Sequence, residues 1–317
     1  MTYFAPEQNC IDRTDFHFKH QKNLYHGKVR DVYDLGEHLL MITTDRISAF
    51  DCILPRPIPY KGQVLNLIAA HFLEKVKDIV PVWLQSLPDP NVSLGLKCEP
   101  IPIEFVVRGY LAGHAWRCYK KGESLCGLNF APGLKESQKL DRPILSPTTK
   151  AAAGHDMDIS YEQLIAQGII SKSLLDEIYA IAFSLFRRGT EMAAERDLIL
   201  VDTKYEFGLV NGEIVLMDEI HTPDSSRYYI KTGYEERLAN SEPQLQLSKE
   251  FVREWLMAHG FFGKEEDLMP EMPDSFVHEI SERYLLLYEK LTGKKINTES
   301  AEVPIDRLRK NLSEFLI

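Results

Sequence analysis

The chain has 317 residues, of which 44% are hydrophobic and 26% are charged, and this length predicts two lobes because domains usually hold about 100–200 residues. No apolar run approaches the roughly 20 residues that cross a bilayer, so we expect no membrane partner. The formal net charge of −10 would repel a polyanion, which disfavours a general nucleic-acid binder unless basic residues cluster.

The first ten residues contain neither the basic segment nor the apolar stretch of a secretory signal, so we expect a cytoplasmic protein. The cysteines are odd in number, widely scattered and without a C-x-x-C pair. This pattern indicates reduced thiols and neither a disulfide framework nor a zinc site. They are Cys10, Cys52, Cys98, Cys118 and Cys126.

The first part of the chain is typical of a mainly antiparallel lobe. Residues 28–33 alternate in character, Gly36 interrupts them, and residues 38–44 are apolar and rich in β-forming side chains. Apolar residues then recur at helical spacing from 64 to 80, where Pro81 ends the pattern. The sequence therefore predicts strand, turn, strand and helix in this order.

Strand character returns at residues 100–111, which are β-branched and end before Gly113, and residues 115–121 predict a short helix. The segment 129–158 is rich in Pro, Gly, Ser, Thr and Lys without a steady period. It predicts a long loop, a candidate lid and the boundary between an N-terminal lobe, 1–128, and a C-terminal lobe, 129–317.

The second half predicts a helical layer followed by a hairpin. Ser160 and Gln163 have the spacing of a capping box, and residues 174–196 are strongly helical. Residues 198–210 and 213–220 predict strands around Asn211-Gly212, a strong hairpin signal, and helices dominate after residue 248.

The hairpin carries the most informative charges. A period of two places Asp202, Lys204 and Glu206 on one face of the strand, and the returning strand carries Asp218 and Glu219 at about the same height. Converging carboxylates beside a lysine are typical of a magnesium–polyphosphate site. A solvated face of cross-strand ion pairs is the alternative interpretation of these residues.

Register decides whether Glu206 and Asp218 can share a metal. A two-residue turn at Asn211-Gly212 would place Asp218 opposite Tyr205, on the face away from Glu206. We therefore predict that the hairpin departs from this turn, through a three-residue loop or a bulge, and brings both carboxylates to one face.

Basic residues form a second set, and arginine forks with nearby glycine N–H groups suit phosphate oxygens. Each one alone is also typical of a surface charge, and the segment around Gly27 is not a Walker loop. Four histidines, His26, His114, His155 and His221, lie at no metal-ligand spacing. The basic residues are Lys28, Arg30, Arg46, Arg108, Lys150 and Arg227.

Seven motifs in order resemble the phosphoribosylaminoimidazole-succinocarboxamide synthases (SAICAR synthetases) of purine biosynthesis, in their longer, fungal-like form. The resemblance runs from about residue 24 to the C-terminal helices, and the last two motifs are the most specific. The motifs span residues 27–33, 44–51, 108–113, 134–138, 146–150, 202–208 and 218–227.

The resemblance implies an α+β fold of two lobes, related to protein kinases and ATP-grasp enzymes, with ATP in the cleft between them. It implies an ATP-dependent ligase that joins L-aspartate to a carboxylated aminoimidazole ribonucleotide, with Mg²⁺ as cofactor and with ATP as co-substrate. We expect these small molecules as the binding partners of a monomer.

Residue roles follow the motifs of the family. Lys28, Lys204, Glu206 and Asp218 would be catalytic, and Glu206 with Asp218 would hold the metal. The ATP-binding residues would be Gly27, Lys28, Val29, Lys204, Glu206 and Asp218. The substrate-binding residues would be Arg30, Asp45, Arg46, Ser48, Arg108, His114, Lys150, Asp202, Asp224 and Arg227.

One position departs from the family pattern, because His114 stands where the family commonly has serine after Arg-Gly-Tyr-x-x-Gly. Its imidazole could donate a hydrogen bond to phosphate in place of the hydroxyl, or turn away and leave the contact to Arg108.

Two other functions use similar residues. A kinase-like phosphotransferase would suit the carboxylates and lysines, but the chain lacks an H-R-D loop and a D-F-G segment. A non-catalytic nucleotide sensor would bind ATP and a phosphorylated metabolite without chemistry.

Overall fold

The structure is a computed structural model that describes residues 9–150, 157–247, 249–299 and 302–317. The strands are β1 (Asn23–His26), β2 (Arg30–Asp34), β3 (His38–Thr43), β4 (Ser48–Ala49), β5 (Cys52–Ile53), β6 (Leu84–Asp89), β7 (Val92–Leu96), β8 (Glu99–Tyr110), β9 (Lys139–Thr149), β10 (Met157–Asp158), β11 (Leu198–Val210), β12 (Glu213–Met217) and β13 (Ser226–Ile230). The helices are α1 (Lys61–Lys75), α2 (Gly113–Lys121), α3 (Tyr161–Ala166), α4 (Lys172–Ala194), α5 (Tyr234–Ala239), α6 (Glu250–Ala258), α7 (Asp274–Thr292) and α8 (Pro304–Asn311).

The chain forms two compact units. One contains residues 1–71, 83–97 and 248–317, and the other contains residues 72–82 and 98–247. The predicted lobe boundary after residue 128 is not one of the points at which the chain passes from one unit to the other.

The first unit is built on an antiparallel sheet in the order β1-β2-β3-β7-β6. Alternation along β2 and β3 buries Tyr33 opposite Leu40, as the period of two in the sequence predicts. These side chains pack with Phe18 and with Leu308 and Leu312 from the C-terminal part of the chain. The last helix thereby completes the core beneath the first strands.

The second unit is built on an antiparallel sheet in the order β10-β9-β8-β11-β12, with β13 also paired to β11. One face of β8 and β11 is aromatic and lies against α4, where the ring centroids of Phe105 and Tyr179 are 6.3 Å apart. Phe207 packs beside Phe105 at 5.6 Å. Because side chains alternate along a strand, the opposite face of β8 and β11 is left for polar residues.

Helices α3 and α4 of the second unit begin at serine residues that cap them. The Ser160 hydroxyl accepts from the N–H of Gln163, whose side chain in turn accepts from the N–H of Ser160, which confirms the predicted capping box. Ser171 caps α4 through the N–H of Leu174. In the described part of the chain, no helix has the length and apolar character that a membrane span requires.

The predicted long loop at 129–158 is wrong for residues 139–149, which form β9 and pair with β8. Pro143 and Pro147 obscured this strand, because proline usually interrupts a ladder. Proline is tolerated here because the far edge of β9 is paired only with the two residues of β10. Residues 151–156 of the predicted loop lie outside the described residues.

The prediction of an irregular hairpin is also wrong. Val210 pairs with Glu213 and Glu206 pairs with Met217, so Asn211-Gly212 forms the simple two-residue turn. The φ angles of Asn211 and Gly212 are +54° and +83°, as the mirror-image turns of hairpins require. The local preference of Asn-Gly determined the register.

Candidate active site

The polar face of the second sheet brings two predicted motifs together. Asp202 on β11 lies opposite Arg108 on β8, and Glu206 lies opposite Glu104. Asp202, Lys204 and Glu206 share this face, as their spacing predicts. The charged residues fall into two groups at different points along β11.

We call the first group the lysine–carboxylate cluster: Glu104, Lys150, Lys204, Glu206 and Asp218. The Lys204 ammonium donates to Glu104 at 2.8 Å and to Glu206 at 2.5 Å. Lys150, from the end of β9, donates to the other carboxylate oxygen of Glu206. Glu206 is only 4% exposed, so these two lysines neutralise a buried carboxylate.

The lysine–carboxylate cluster favours the charged forms of Lys204 and Glu206. Burial alone would lower the pKa of Lys204, but the carboxylates of Glu206, Glu104 and Asp218 outweigh burial and raise it. Burial alone would raise the pKa of Glu206, but Lys204 and Lys150 outweigh burial and lower it. Glu206 is therefore an anion throughout the neutral range.

Asp218 joins the lysine–carboxylate cluster in spite of the regular turn. The ladder ends at Met217, and Asp218 has a φ angle of +60°, in the left-handed region. A residue in this conformation leaves the strict alternation of the strand. Its carboxylate interacts electrostatically with Lys204 although the register of the hairpin is regular.

We call the second group the arginine cluster: Arg108, Ser146, Asp202 and Arg227. The Asp202 carboxylate accepts from Arg227 at 2.7 Å and from Arg108 at 3.2 Å, and Arg108 also donates to the Ser146 hydroxyl at 2.8 Å. The strands fix this geometry, because β8 and β13 place both arginines opposite Asp202. Two guanidinium groups share one carboxylate, which leaves a net positive charge.

Burial makes the guanidinium group of Arg108 easier to deprotonate. Desolvation lowers the pKa of Arg108, Asp202 opposes this shift, and Arg227 adds to it. The group stays protonated, since free arginine titrates far above neutral pH. A buried cation that shares Asp202 with a second cation is suited to bind a further anion.

Gly113 allows α2 to begin beside Arg227. Its φ angle is +54°, and a Cβ atom at this position would lie 2.4 Å from a terminal nitrogen of Arg227. Glycine is the residue that meets both requirements. The second glycine of the Gly-Tyr-x-x-Gly pattern after Arg108 is therefore explained by close approach to the arginine cluster.

The connection from β12 to β13 folds back onto β11. The Thr222 hydroxyl donates to Glu219 at 2.6 Å, and the N–H of Lys204 donates to the carbonyl of Ser225 at 3.0 Å. Asp224 is half-buried in this turn. Burial lowers the pKa of His221 to about 3, so His221 is a neutral packing residue.

His114 lies at the start of α2, where it is paired with Asp158. Its Nε2 atom is 2.7 Å from a carboxylate oxygen of Asp158, and the Cys118 sulfur is 3.7 Å from the same nitrogen. The side-chain hydrogen bond to His114 lowers the pKa of Asp158. His114 and Cys118 are four residues apart, so one turn of helix brings their side chains together. This spacing is the sequence signal for the pair.

In the first unit, Arg46 orders the loop that carries Lys28. Its guanidinium donates to the carbonyls of Lys28 at 3.2 Å and Gly27 at 2.9 Å, and to Asp31 at 2.8 Å. The carbonyl of Val29 accepts from Thr44 at 3.0 Å. Arg46 is therefore used inside the protein, and it holds residues 27–29 in place.

The remaining predicted residues of the first unit differ in exposure. Lys28 is exposed and pairs with Asp51 at 2.5 Å. Asp45 is buried, where its carboxylate accepts from the N–H groups of Ile11 at 2.6 Å and Gly62 at 2.8 Å. Burial raises the pKa of Asp45 to about 6 in spite of these bonds. Ser48 is buried in β4, and Arg30 is half-buried at the start of β2.

Sequence reasoning missed three residues of these sites. Glu104 binds Lys204, Asp31 binds Arg46, and Asp158 binds His114. Glu104 lies four residues before Arg108 in a predicted strand, so alternation alone could have placed it on the polar face. The partners of Asp31 and Asp158 are distant in sequence and leave no such signal.

Comparison with known proteins agrees with this architecture. The SAICAR synthetase family model matches residues 23–267. A phosphoribosylaminoimidazole-succinocarboxamide synthase of Bacteroides fragilis is 55% identical over 310 residues, which cover 97% of this chain and 99% of that protein.

Two solved structures are similar in fold. The SAICAR synthase of Saccharomyces cerevisiae in complex with SAICAR has a TM-score of 0.76 and 32% identity, over 87% of this chain and 96% of that chain. A type-2 SAICAR synthetase in complex with ADP has a TM-score of 0.67 and 26% identity, over 87% of this chain and 100% of that chain. The match of sequence and fold over most of the chain shows that this protein belongs to the SAICAR synthetase family.

Proposed function

We propose that this chain catalyses the ATP-dependent joining of L-aspartate to a carboxylated aminoimidazole ribonucleotide, giving the succinocarboxamide, ADP and phosphate. The observation that carries the proposal is the pairing of the arginine cluster with the lysine–carboxylate cluster on one face of one sheet. The first suits a substrate phosphate and the second suits the polyphosphate of a nucleotide.

The spacing of the two clusters fits one substrate that reaches both. Asp202 and Glu206 are four residues apart on β11, or about 13 Å at about 3.3 Å per residue. The 5′-phosphate of the ribonucleotide lies on the forks of Arg108 and Arg227, which bind phosphate in two-point geometry. Its carboxylate then points along the strand toward the lysine–carboxylate cluster.

His114 contributes to the phosphate end of the proposed site. It follows Gly113 and stands beside the arginine cluster, where many family members carry serine. Its bond to Asp158 fixes the ring and makes the imidazole a directed donor rather than a mobile one. Asp224 is half-buried in the turn that leads into β13, three residues before Arg227, and stays a predicted substrate-binding residue.

The carboxylates of Glu206 and Asp218 fit Mg²⁺, because they are the hard oxygen donors that this ion takes, and Glu206 is fully ionised. These two residues would hold the ion, with phosphate and water oxygens as its other ligands. When bound, Mg²⁺ supplies neutralisation of the charge that develops on the transferred phosphoryl group.

Lysines of the same cluster act on the nucleotide phosphates. Lys204 is fixed between Glu104 and Glu206, whereas the side chain of Lys150 is 40% exposed and free to turn from Glu206 toward a phosphate. Lys28 provides a further exposed ammonium group from the loop at Gly27 and Val29. Arg46 holds the frame of that loop, and Arg30, Asp45 and Ser48 stay predicted substrate-binding residues.

The reaction proceeds by two displacements. The ribonucleotide carboxylate attacks the γ-phosphorus of ATP, ADP leaves, and the positive side chains stabilise the charge in the transition state. The product is an acyl phosphate. The aspartate amine attacks its carbonyl carbon, phosphate leaves, and the amide forms. Positioning of the three reactants supplies much of the rate.

The alternatives differ in what they require. A kinase-like phosphotransferase would transfer phosphate without aspartate, and a nucleotide sensor would release no phosphate. Membership of a ligase family favours the ligase. Cytoplasmic location and a monomeric state stay predictions of the sequence.

Phosphate release tests the proposal. We expect release from ATP only when L-aspartate and the carboxylated ribonucleotide are both present, with stoichiometric formation of the succinocarboxamide. Release that is independent of aspartate would indicate the phosphotransferase, and binding of both ligands without release would indicate the sensor.

A further inference from the structure

A group of metal-ligating side chains lies next to the arginine cluster, and of its members only His114 contacts substrate in the proposed ligation. His114 and Cys118 are on one face of α2, and Asp158 approaches from β10. One nitrogen, one sulfur and one oxygen atom of these residues lie within 4.8 Å of one another. We call this group the His–Cys–Asp site.

The distance between the Cys118 sulfur and Nε2 of His114 is close to that between two ligand atoms of a tetrahedral metal centre. Zinc bonds of about 2.0–2.1 Å to nitrogen or oxygen and about 2.3 Å to sulfur separate the ligand atoms by about 3.3–3.6 Å. The Cys118 sulfur lies 3.7 Å from Nε2 of His114, and the Asp158 oxygen lies 2.7 Å from that nitrogen. The ion has room if the Asp158 side chain rotates outward so that its carboxylate oxygen moves by less than about 1 Å.

The fold places these ligands independently of any metal. A turn of helix sets His114 above Cys118, and the Cys118 side chain is buried against α2 neighbours while His114 and Asp158 are 41% and 31% exposed. The backbone of Asp158 is held by pairing with Thr148. The site is therefore anchored on one side and open to solvent on the other.

The chemistry of the donors selects the ion. Imidazole and thiolate are borderline and soft ligands, which favour Zn²⁺ over Mg²⁺ or Ca²⁺. Three protein ligands leave a fourth position for water or another small ligand. Binding releases the thiol proton of Cys118, and His114 binds through Nε2 with its remaining proton on Nδ1.

We propose that His114, Cys118 and Asp158 form a binding site for a zinc-like divalent cation beside the arginine cluster. Metal binding at this site can be measured without substrates and therefore does not depend on the proposed function, with which the site shares only His114. Occupancy removes His114 from hydrogen bonding and places a cation next to the phosphate-binding arginines.

Cobalt binding to the whole chain tests this site directly. Under reducing, metal-free conditions, Co²⁺ should give a saturable thiolate charge-transfer band and the strong visible bands of four-coordinate cobalt, at one ion per chain. Zn²⁺ should then displace Co²⁺, since it binds such sites more tightly. Isothermal titration gives the affinity of each metal.

Matched variants show which residues bind the cobalt ion that gives the absorption bands. Cys118→Ser should abolish the charge-transfer band, and Asp158→Asn should weaken binding by about tenfold or more. Cys52→Ser, which changes a half-exposed thiol of the first unit, should bind like the unaltered chain. Circular dichroism confirms that each variant is folded.

A chain that shows no saturable thiolate band would overturn the proposal. So would a band that survives in folded Cys118→Ser or disappears in Cys52→Ser, because the sulfur ligand would then be another cysteine.

Discussion

Replacement of Arg227 by alanine should weaken binding of the ribonucleotide far more than binding of ATP. Arg227 is 13% exposed and shares Asp202 with Arg108, so the arginine cluster has a net charge of about one. Without Arg227 this charge falls to about zero, and one fork to the phosphate is lost. The perturbation acts on the phosphate end of the proposed site alone.

The magnitude follows from the contact that is removed. A hydrogen bond to a charged group contributes about 1.5–3 kcal/mol, which corresponds to about a 10- to 150-fold rise in the Michaelis constant for the ribonucleotide. Arg227→Lys retains the charge but not the planar fork, so its effect should lie between those of alanine and arginine.

Steady-state kinetics with each substrate varied in turn measures the effect. The Michaelis constant for ATP should change by less than about twofold, since the lysine–carboxylate cluster is intact. Arg188→Ala is the matched control, because Arg188 is a surface arginine paired with Asp78 in the same unit. Equal rises for ribonucleotide and ATP would refute the assignment of the arginine cluster to phosphate.

Two further predictions concern the other groups. Glu206→Gln should abolish ATP-dependent ligation. It should also flatten the acid side of the stability profile, because the lowered pKa of Glu206 gives stability that is present above the ordinary glutamate pKa of 4.5 and lost as pH falls toward the pKa of the folded state. Urea unfolding at several pH values measures this, and a profile as steep as that of the unaltered chain would contradict it. Gly113→Ala should cost about 1–2 kcal/mol of stability and also raise the ribonucleotide Michaelis constant, because its Cβ atom displaces Arg227. Gly168→Ala, at a φ angle of +66° with no atom in the way, should show the stability loss without the kinetic change.

The face of β11 could be read from the sequence because alternation is local. Asp202, Lys204 and Glu206 needed only a strand of constant period. Asp218 could not be placed in this way, because its left-handed backbone breaks the alternation after Met217. Because of this backbone conformation, Asp218 interacts electrostatically with Lys204 although the Asn-Gly turn is regular.

Other features depended on contacts between distant parts of the chain. β9 is a strand because β8 pairs with it, and its two prolines gave the opposite local signal. His114 and Cys118 are two of the three members of the His–Cys–Asp site and are close in sequence, but Asp158 lies 44 residues from His114. Such pairs become visible only when the strand order is known.

Isotope transfer from the ribonucleotide to phosphate tests the proposed chemistry most directly. If the carboxylate of the ribonucleotide is labelled with a heavy oxygen isotope, attack on ATP places one labelled oxygen in the acyl phosphate bridge. Displacement by the aspartate amine then releases that oxygen with phosphate. We predict that the phosphate formed in a single turnover carries one labelled oxygen, as mass spectrometry would show. Unlabelled phosphate alongside full formation of the succinocarboxamide would contradict the acyl phosphate route.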